Sequence, residues 1–151
     1  MENHWRRQLR PIVVALVLAL AGCGEETVPS GVTTSDFSSL RAMAQLYDLY
    51  RSEHRGKSPP DEQAFREFLA TKTDFLGRVG LTVDKVFVSP RNGEPLQWVY
   101  GEVPPTTPSG MLSCYAYEKT PVDGKRLVFG PRGVYELMDD TEFQSVFPDT
   151  P

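Results

Sequence analysis

The sequence predicts an α+β domain: two N-terminal helices packed on an antiparallel sheet of about three to five strands, closed by a short C-terminal helix. Three observations predict it. Between Phe37 and Leu69 apolar residues recur at steps of three and four, the helical period. From about Val86 onward they alternate, the strand period. Asn92-Gly93 and Asp123-Gly124 punctuate the alternating runs as turns. Helices first and a meander afterwards is the α+β order.

The chain opens on a different kind of segment. Arg6, Arg7 and Arg10 precede the apolar run Ile12 to Leu20, and small Ala21 and Gly22 close it. That is the layout of a secretory signal over residues 1–22. The run is about half the ~20 residues a spanning helix needs, which disfavours a transmembrane anchor. Leu20-Ala21-Gly22-Cys23 resembles the bacterial lipobox. The resemblance implies diacylglycerol in thioether linkage to Cys23, cleavage between Gly22 and Cys23, and fatty acylation (palmitate) of the new amino group. The membrane is then a partner through the lipid on Cys23. The alternatives are an ordinary signal with an incidental cysteine, or a twin-arginine signal, which Trp5 and Gln8-Leu9 fit only in part. Gly24, where Asp would mark inner-membrane retention in some bacteria, points to the outer membrane, on its periplasmic side or at the surface.

Removing residues 1–22 takes away three of the 16 basic and one of the 20 acidic residues. The mature chain is therefore acidic, with a formal charge of −6. Nucleic acid is excluded as a partner class, because it calls for a basic footprint. Lipidation of Cys23 would leave Cys114 as the lone thiol, which excludes a disulfide, a C-x-x-C redox pair and a multi-cysteine zinc site. About 129 residues suit a single domain, over 35–151, behind a polar tether over 23–34.

The first helix is expected from Asp36 to Arg55, capped by Thr34 or Ser35, with Phe37, Leu40, Met43, Tyr47 and Tyr50 on one stripe and Gly56 just past its end. Ser58 is read as the cap of a second helix, with Pro59 in its first turn and Ala64, Phe65, Phe68 and Leu69 inward. Residues 73–85 read as a packed loop or a short helical turn. Val86-Phe87-Val88 is a strand candidate, followed by a turn at Asn92-Gly93 and a strand bearing Leu96, Trp98 and Tyr100. A Pro/Thr-rich loop spans Gly101 to Gly110. In the strand from Met111 to Glu118, alternation puts Leu112, Cys114 and Ala116 on one face and Ser113, Tyr115 and Tyr117 on the other. Arg126 to Phe129 and Val134 to Met138 follow, joined by a type I turn at Gly130–Gly133. Asp139 or Asp140 caps a last helix carrying Phe143, Val146 and Phe147, stopped by Pro148.

This order is similar to the soluble head of a type II secretion pseudopilin. The similarity rests on the helix with Leu46, Tyr47 and Tyr50, on Gly56-Lys57-Ser58-Pro59-Pro60, and on Ser89-Pro90-Arg91-Asn92-Gly93-Glu94-Pro95 before an aromatic strand. It implies a non-catalytic interaction domain with a partner protein in the cell envelope. The chain lacks a prepilin cleavage motif, and its apolar segment is expected to be removed, so polymerisation is not implied. Some family members hold calcium in C-terminal loops, but Asp123, Asp139 and Asp140 do not reproduce a calcium loop, and no ion is carried over.

Few residues point to chemistry. Cys114 alternates with apolar neighbours and reads as an inert core thiol. His54, the only histidine beyond His4, reads as solvated at a helix end. Arg51, His54, Arg55 and Lys57 form a basic patch that suits a helix C-terminus and can also meet lipid headgroups or an acidic partner. Trp98, Tyr100, Tyr115 and Tyr117 are core residues or an aromatic binding face. No nucleophile–base, phosphate-loop or zinc motif is present, so no catalytic residue, cofactor or metal is assigned. The rival reading is a small-molecule-binding or enzymatic lipoprotein with a cleft near Trp98 and the 101–110 loop.

Overall fold

The computed structural model describes residues 31–101, 104–107, 109–110 and 113–148. The signal, Gly22, Cys23 and the tether up to residue 30 lie outside the described residues, as do Met111 and Leu112 of the predicted second strand. The order is α1 (Thr34–Glu53), α2 (Glu62–Ala70), α3 (Thr73–Arg78), a 3-10 turn at Asp84–Phe87, β1 (Leu96–Trp98), β2 (Ala116–Glu118), β3 (Arg126–Phe129), β4 (Tyr135–Met138) and α4 (Asp140–Val146). The four strands form one antiparallel sheet in the order β1-β2-β3-β4. The chain is α+β, as its periodicities predict.

Helix α1 begins two residues earlier than expected. Thr33 is its cap and makes a reciprocal capping box with Asp36. Val32, just before it, is buried in the core. Helix α2 departs further from expectation. Its cap is Asp61, whose side chain accepts from Ala64 N at 2.8 Å, and not Ser58. Pro60 disfavours helical geometry at residue 59, and the helix starts after both prolines. Val86-Phe87-Val88 is likewise not a strand. Val86 and Phe87 are buried in the 3-10 turn, and Val88 pairs only as an isolated bridge with Pro95. A three-residue apolar run fits either geometry.

Helices α1 and α2 cover one face of the sheet. Tyr47 is at the centre: its ring stacks on Trp98 at 5.5 Å, meets Phe65 edge-on at 5.7 Å and touches Tyr115 at 4.3 Å. The other face is covered as well. Cys114, Tyr117, Val128 and Met138 pack under Phe143 of α4. Seven residues are too few for a helix to persist alone. Helix α4 holds through its Asp139–Glu142 capping box and through Phe143, whose full burial is worth about 1.5–3 kcal/mol.

A bulge and a turn decide how the sheet meets the helices. Tyr115 N–H donates to Phe129 O at 2.8 Å while Ala116 is also the register partner of Phe129. Two residues against one is a β-bulge. It turns both Tyr115 and Ala116 toward α1 and sends Cys114 to the opposite face, which breaks the expected alternation. The Gly130–Gly133 turn is also not type I, because Arg132 has φ 60° and ψ 11°, close to the third residue of a type II turn. Gly133 then lies so close to α1 that a Cβ there would stand 2.5 Å from Arg41 Cα.

Candidate functional site

Three of the four basic residues at the α1 end, Arg51, His54 and Lys57, line one groove, and Arg55 does not. Helix α1 terminates where Gly56, at φ +82°, turns the chain and donates its N–H to Arg51 O. The Pro59-Pro60 segment then runs beside Gly101, whose N–H donates to Pro59 O at 2.8 Å. Between them lies a groove of about 510 Å³ lined by Arg51, His54, Lys57 and Ser58 on one side and Gly101 and Pro104 on the other. Arg55 is exposed nearby and is not part of the lining. The imidazole of His54 stacks flat on Tyr50, with ring centres 3.9 Å apart.

Arg51 is fixed and partly spent. Its Nε donates to Gly56 O at 3.1 Å and its Nη1 to the Tyr115 hydroxyl at 3.0 Å. That hydroxyl donates in turn to Asp48 Oδ1 at 2.6 Å. Burial, reinforced by the neighbouring Asp48 carboxylate, pushes the Tyr115 hydroxyl up to about 12. The groove therefore offers positive charge and donors at one end of the domain, a setting for an oxyanion.

The other predicted residues are placed differently. Cys114 is fully buried and its thiol points to Ala116 O at 3.6 Å; burial pushes its pKa up. It packs in the α4-side cluster, whereas His54 sits on Tyr50, so no thiol–imidazole pair forms. Trp98, Tyr115 and Tyr117 are buried, the first two against the helices and the third under α4, and present no aromatic face to solvent. Trp98 borders the smaller groove beside Tyr100 but spends its indole N–H on Val86 O at 3.2 Å. The 104–110 loop is tied to β4 through Thr107 and Ser109, both hydrogen-bonded to Glu136. Asp123 is a turn residue, Asp139 caps α4, and Asp140 faces Arg126 at 3.4 Å. Among the described residues no group of His, Cys, Asp and Glu could hold a metal ion, and no helix is long and apolar enough to cross a membrane.

Among the described residues the most heavily buried charged pair, Arg91 with Glu118, is one that the sequence does not announce. Glu118 accepts from the Ser89 hydroxyl at 2.5 Å and from Leu127 N at 3.0 Å, and lies 3.3 Å from Arg91 Nη2. The Ser89–Pro95 turn is thereby fastened to the middle of the sheet. A signal existed: Glu118 shares the inward register of Ala116, and a carboxylate in an inward register needs a cation and donors.

No family model matches the chain, and no curated protein and no solved structure matches it.

Proposed function

We propose that this chain is a lipid-anchored envelope protein whose α+β head works by contact with another protein and not by catalysis. One observation carries the reading: Leu20-Ala21-Gly22-Cys23 stands directly after a basic and then an apolar run. A thiol at that place is the nucleophile that takes a diacylglycerol. Several acyl chains, each methylene worth about 0.8 kcal/mol on burial, hold a head at a membrane. The pseudopilin-like order of elements supports a head built for contact.

The test is mass spectrometry and fractionation of the chain expressed in a bacterial host. The expected result is a membrane-bound form starting at Cys23 and heavier by its acyl groups, with Cys23→Ser released or mislocalised. Unmodified mass in the wild type, with the same fractionation for Cys23→Ser, overturns the anchor.

A second reading, a ligand-binding lipoprotein, is supported by the groove at the end of α1. It borders the loop after Gly101 and gathers Arg51, His54 and Lys57. Saturable binding of inorganic phosphate there, weakened by Lys57→Gln, would favour it over a pure contact protein.

A further inference from the structure

The groove at the end of α1 holds cationic groups that the fold leaves unused. Arg51 spends Nε on Gly56 O and Nη1 on the Tyr115 hydroxyl, and its Nη2 has no partner among the described residues. His54 places Nδ1 2.8 Å from Tyr50 O, which leaves Nε2 over. The Lys57 ammonium has no ion pair among the described residues. These groups are also within reach of an occupant, since His54 and Lys57 are exposed and Arg51 is half-buried.

No carboxylate lines the groove. The acidic neighbours are engaged elsewhere: Asp48 accepts from the Tyr115 hydroxyl, and Asp61 caps α2 through Ala64 N. Nor does the helix end need these cations as caps. The carbonyls of Tyr50, Arg51 and His54 already accept backbone N–H groups, from His54, Gly56 and Lys57 in turn. Orphan carbonyls are what a basic side chain would otherwise serve at a helix C-terminus.

The class of occupant follows from charge and shape. Arg and Lys only donate, so the occupant is an anion rich in acceptors. Pro60 and Pro104 add apolar wall beside the charge. A small-molecule site buries most of its ligand, whereas two of the three basic side chains here stand in water. A membrane surface is also a poorer match. Polybasic lipid-binding clusters hold about 4–8 Lys and Arg. This end offers Arg51, Arg55 and Lys57 on a chain of formal net charge −4. Helix α1 has 20 residues, which sets the groove ~30 Å from the end where the tether enters. We propose that the head takes its protein partner in this groove, through an extended acidic segment whose carboxylates meet Arg51 and Lys57 and whose backbone lies against Pro60 and Pro104. The proposal rests on the reading of the chain as a contact protein and gives that contact a place and a charge.

The test is an NMR titration of the isotope-labelled full chain carrying Cys23→Ser, at low salt, following the amides of His54, Lys57 and Gly101. The probes are amidated hexaglutamate and hexaglutamine peptides, inorganic phosphate, and phosphatidylserine vesicles. The expected result is a saturable shift with hexaglutamate that salt weakens, and none with hexaglutamine. Lys57→Glu should weaken hexaglutamate about three- to tenfold, and Lys85→Glu, at an exposed lysine outside the groove, should not. No saturable shift with hexaglutamate overturns the proposal, as does unchanged affinity in Lys57→Glu or an equal loss in Lys85→Glu. Phosphate bound as tightly as hexaglutamate overturns it in favour of a small anion, and capture by the vesicles that depends on Lys57 overturns it in favour of a membrane surface. The chain tested carries no lipid, so a failed titration leaves the anchor standing, and a failed anchor leaves the titration unaffected.

Discussion

Arg91 and Glu118 form an ion pair at 3.3 Å with side chains 4% and 1% exposed. Two charges so far from water hold together only because each has further partners. Glu118 has Ser89 and the Leu127 amide; Arg91 has the carbonyls of Val122 and Lys125. Removing one member strands the other. Glu118→Ala is expected to cost about 3–5 kcal/mol in urea unfolding, and Arg91→Met/Glu118→Leu less than Glu118→Ala alone. A Glu118→Ala cost below about 1 kcal/mol would show that the pair does not hold the turn to the sheet.

Gly133 is the closest approach of the sheet to α1. Gly133→Ala meets both a positive φ of 75° and the Arg41 backbone, whereas Gly80→Ala meets a φ of 71° in open space. Gly80→Ala is expected to cost about 1–2 kcal/mol from backbone conformation alone. Gly133→Ala should cost clearly more, because α1 must move. Equal melting temperatures for the two variants would contradict the contact.

Tyr115 ties Asp48 to Arg51 under the sheet. Tyr115→Phe leaves buried partners short of a bond and is expected to lose about 1–3 kcal/mol near neutral pH. The hydroxyl's pKa rises from 10.0 in the unfolded chain to about 12 when folded. Its contribution is therefore full below pH 10 and is lost as pH rises through 12. The stability difference between wild type and Tyr115→Phe should shrink across that window in urea titrations at stepped pH. A difference that stays constant there would break the assignment.

Cys114 should be chemically silent in the folded state. In a Cys23→Ser chain it is the only thiol. Ellman's reagent at pH 8 should label it only as fast as the protein opens, with the rate rising in urea alongside unfolding. Prompt stoichiometric labelling without denaturant would mean that the α4 side of the sheet is open.

Much of this fold was legible. Leu40, Met43, Tyr47 and Tyr50 marked α1 by their spacing, and all four are buried. Asp123-Gly124 marked a hairpin, and both residues take the positive φ such a turn needs. What escaped were features set by partners distant in the chain. Nothing local in Ser113 to Tyr117 reveals that Phe129 will face two residues instead of one, so Cys114 was placed on the wrong face. Nothing local in Ser89 to Glu94 reveals that Arg91 will be buried. The start of α2 was legible in Pro59-Pro60, since the second proline disfavours helical geometry at the first. The basic groove at the end of α1 was half visible: Arg51, His54 and Lys57 are near neighbours in sequence, but the wall at Gly101 and Pro104 is a tertiary fact.

The contact of Gly133 with Arg41 also orders events in time. Strands β1 to β4 each pair with the next, so the sheet can grow as the chain emerges. Helix α1 cannot finish, because the turn that closes over it lies roughly ninety residues downstream, about 5–20 s later at ordinary synthesis rates. For the first part of that interval, until Trp98 and Tyr115 are made, Tyr47 has no sheet residue to pack on. The earliest element made thus waits on a turn near the end of the chain for its last contact.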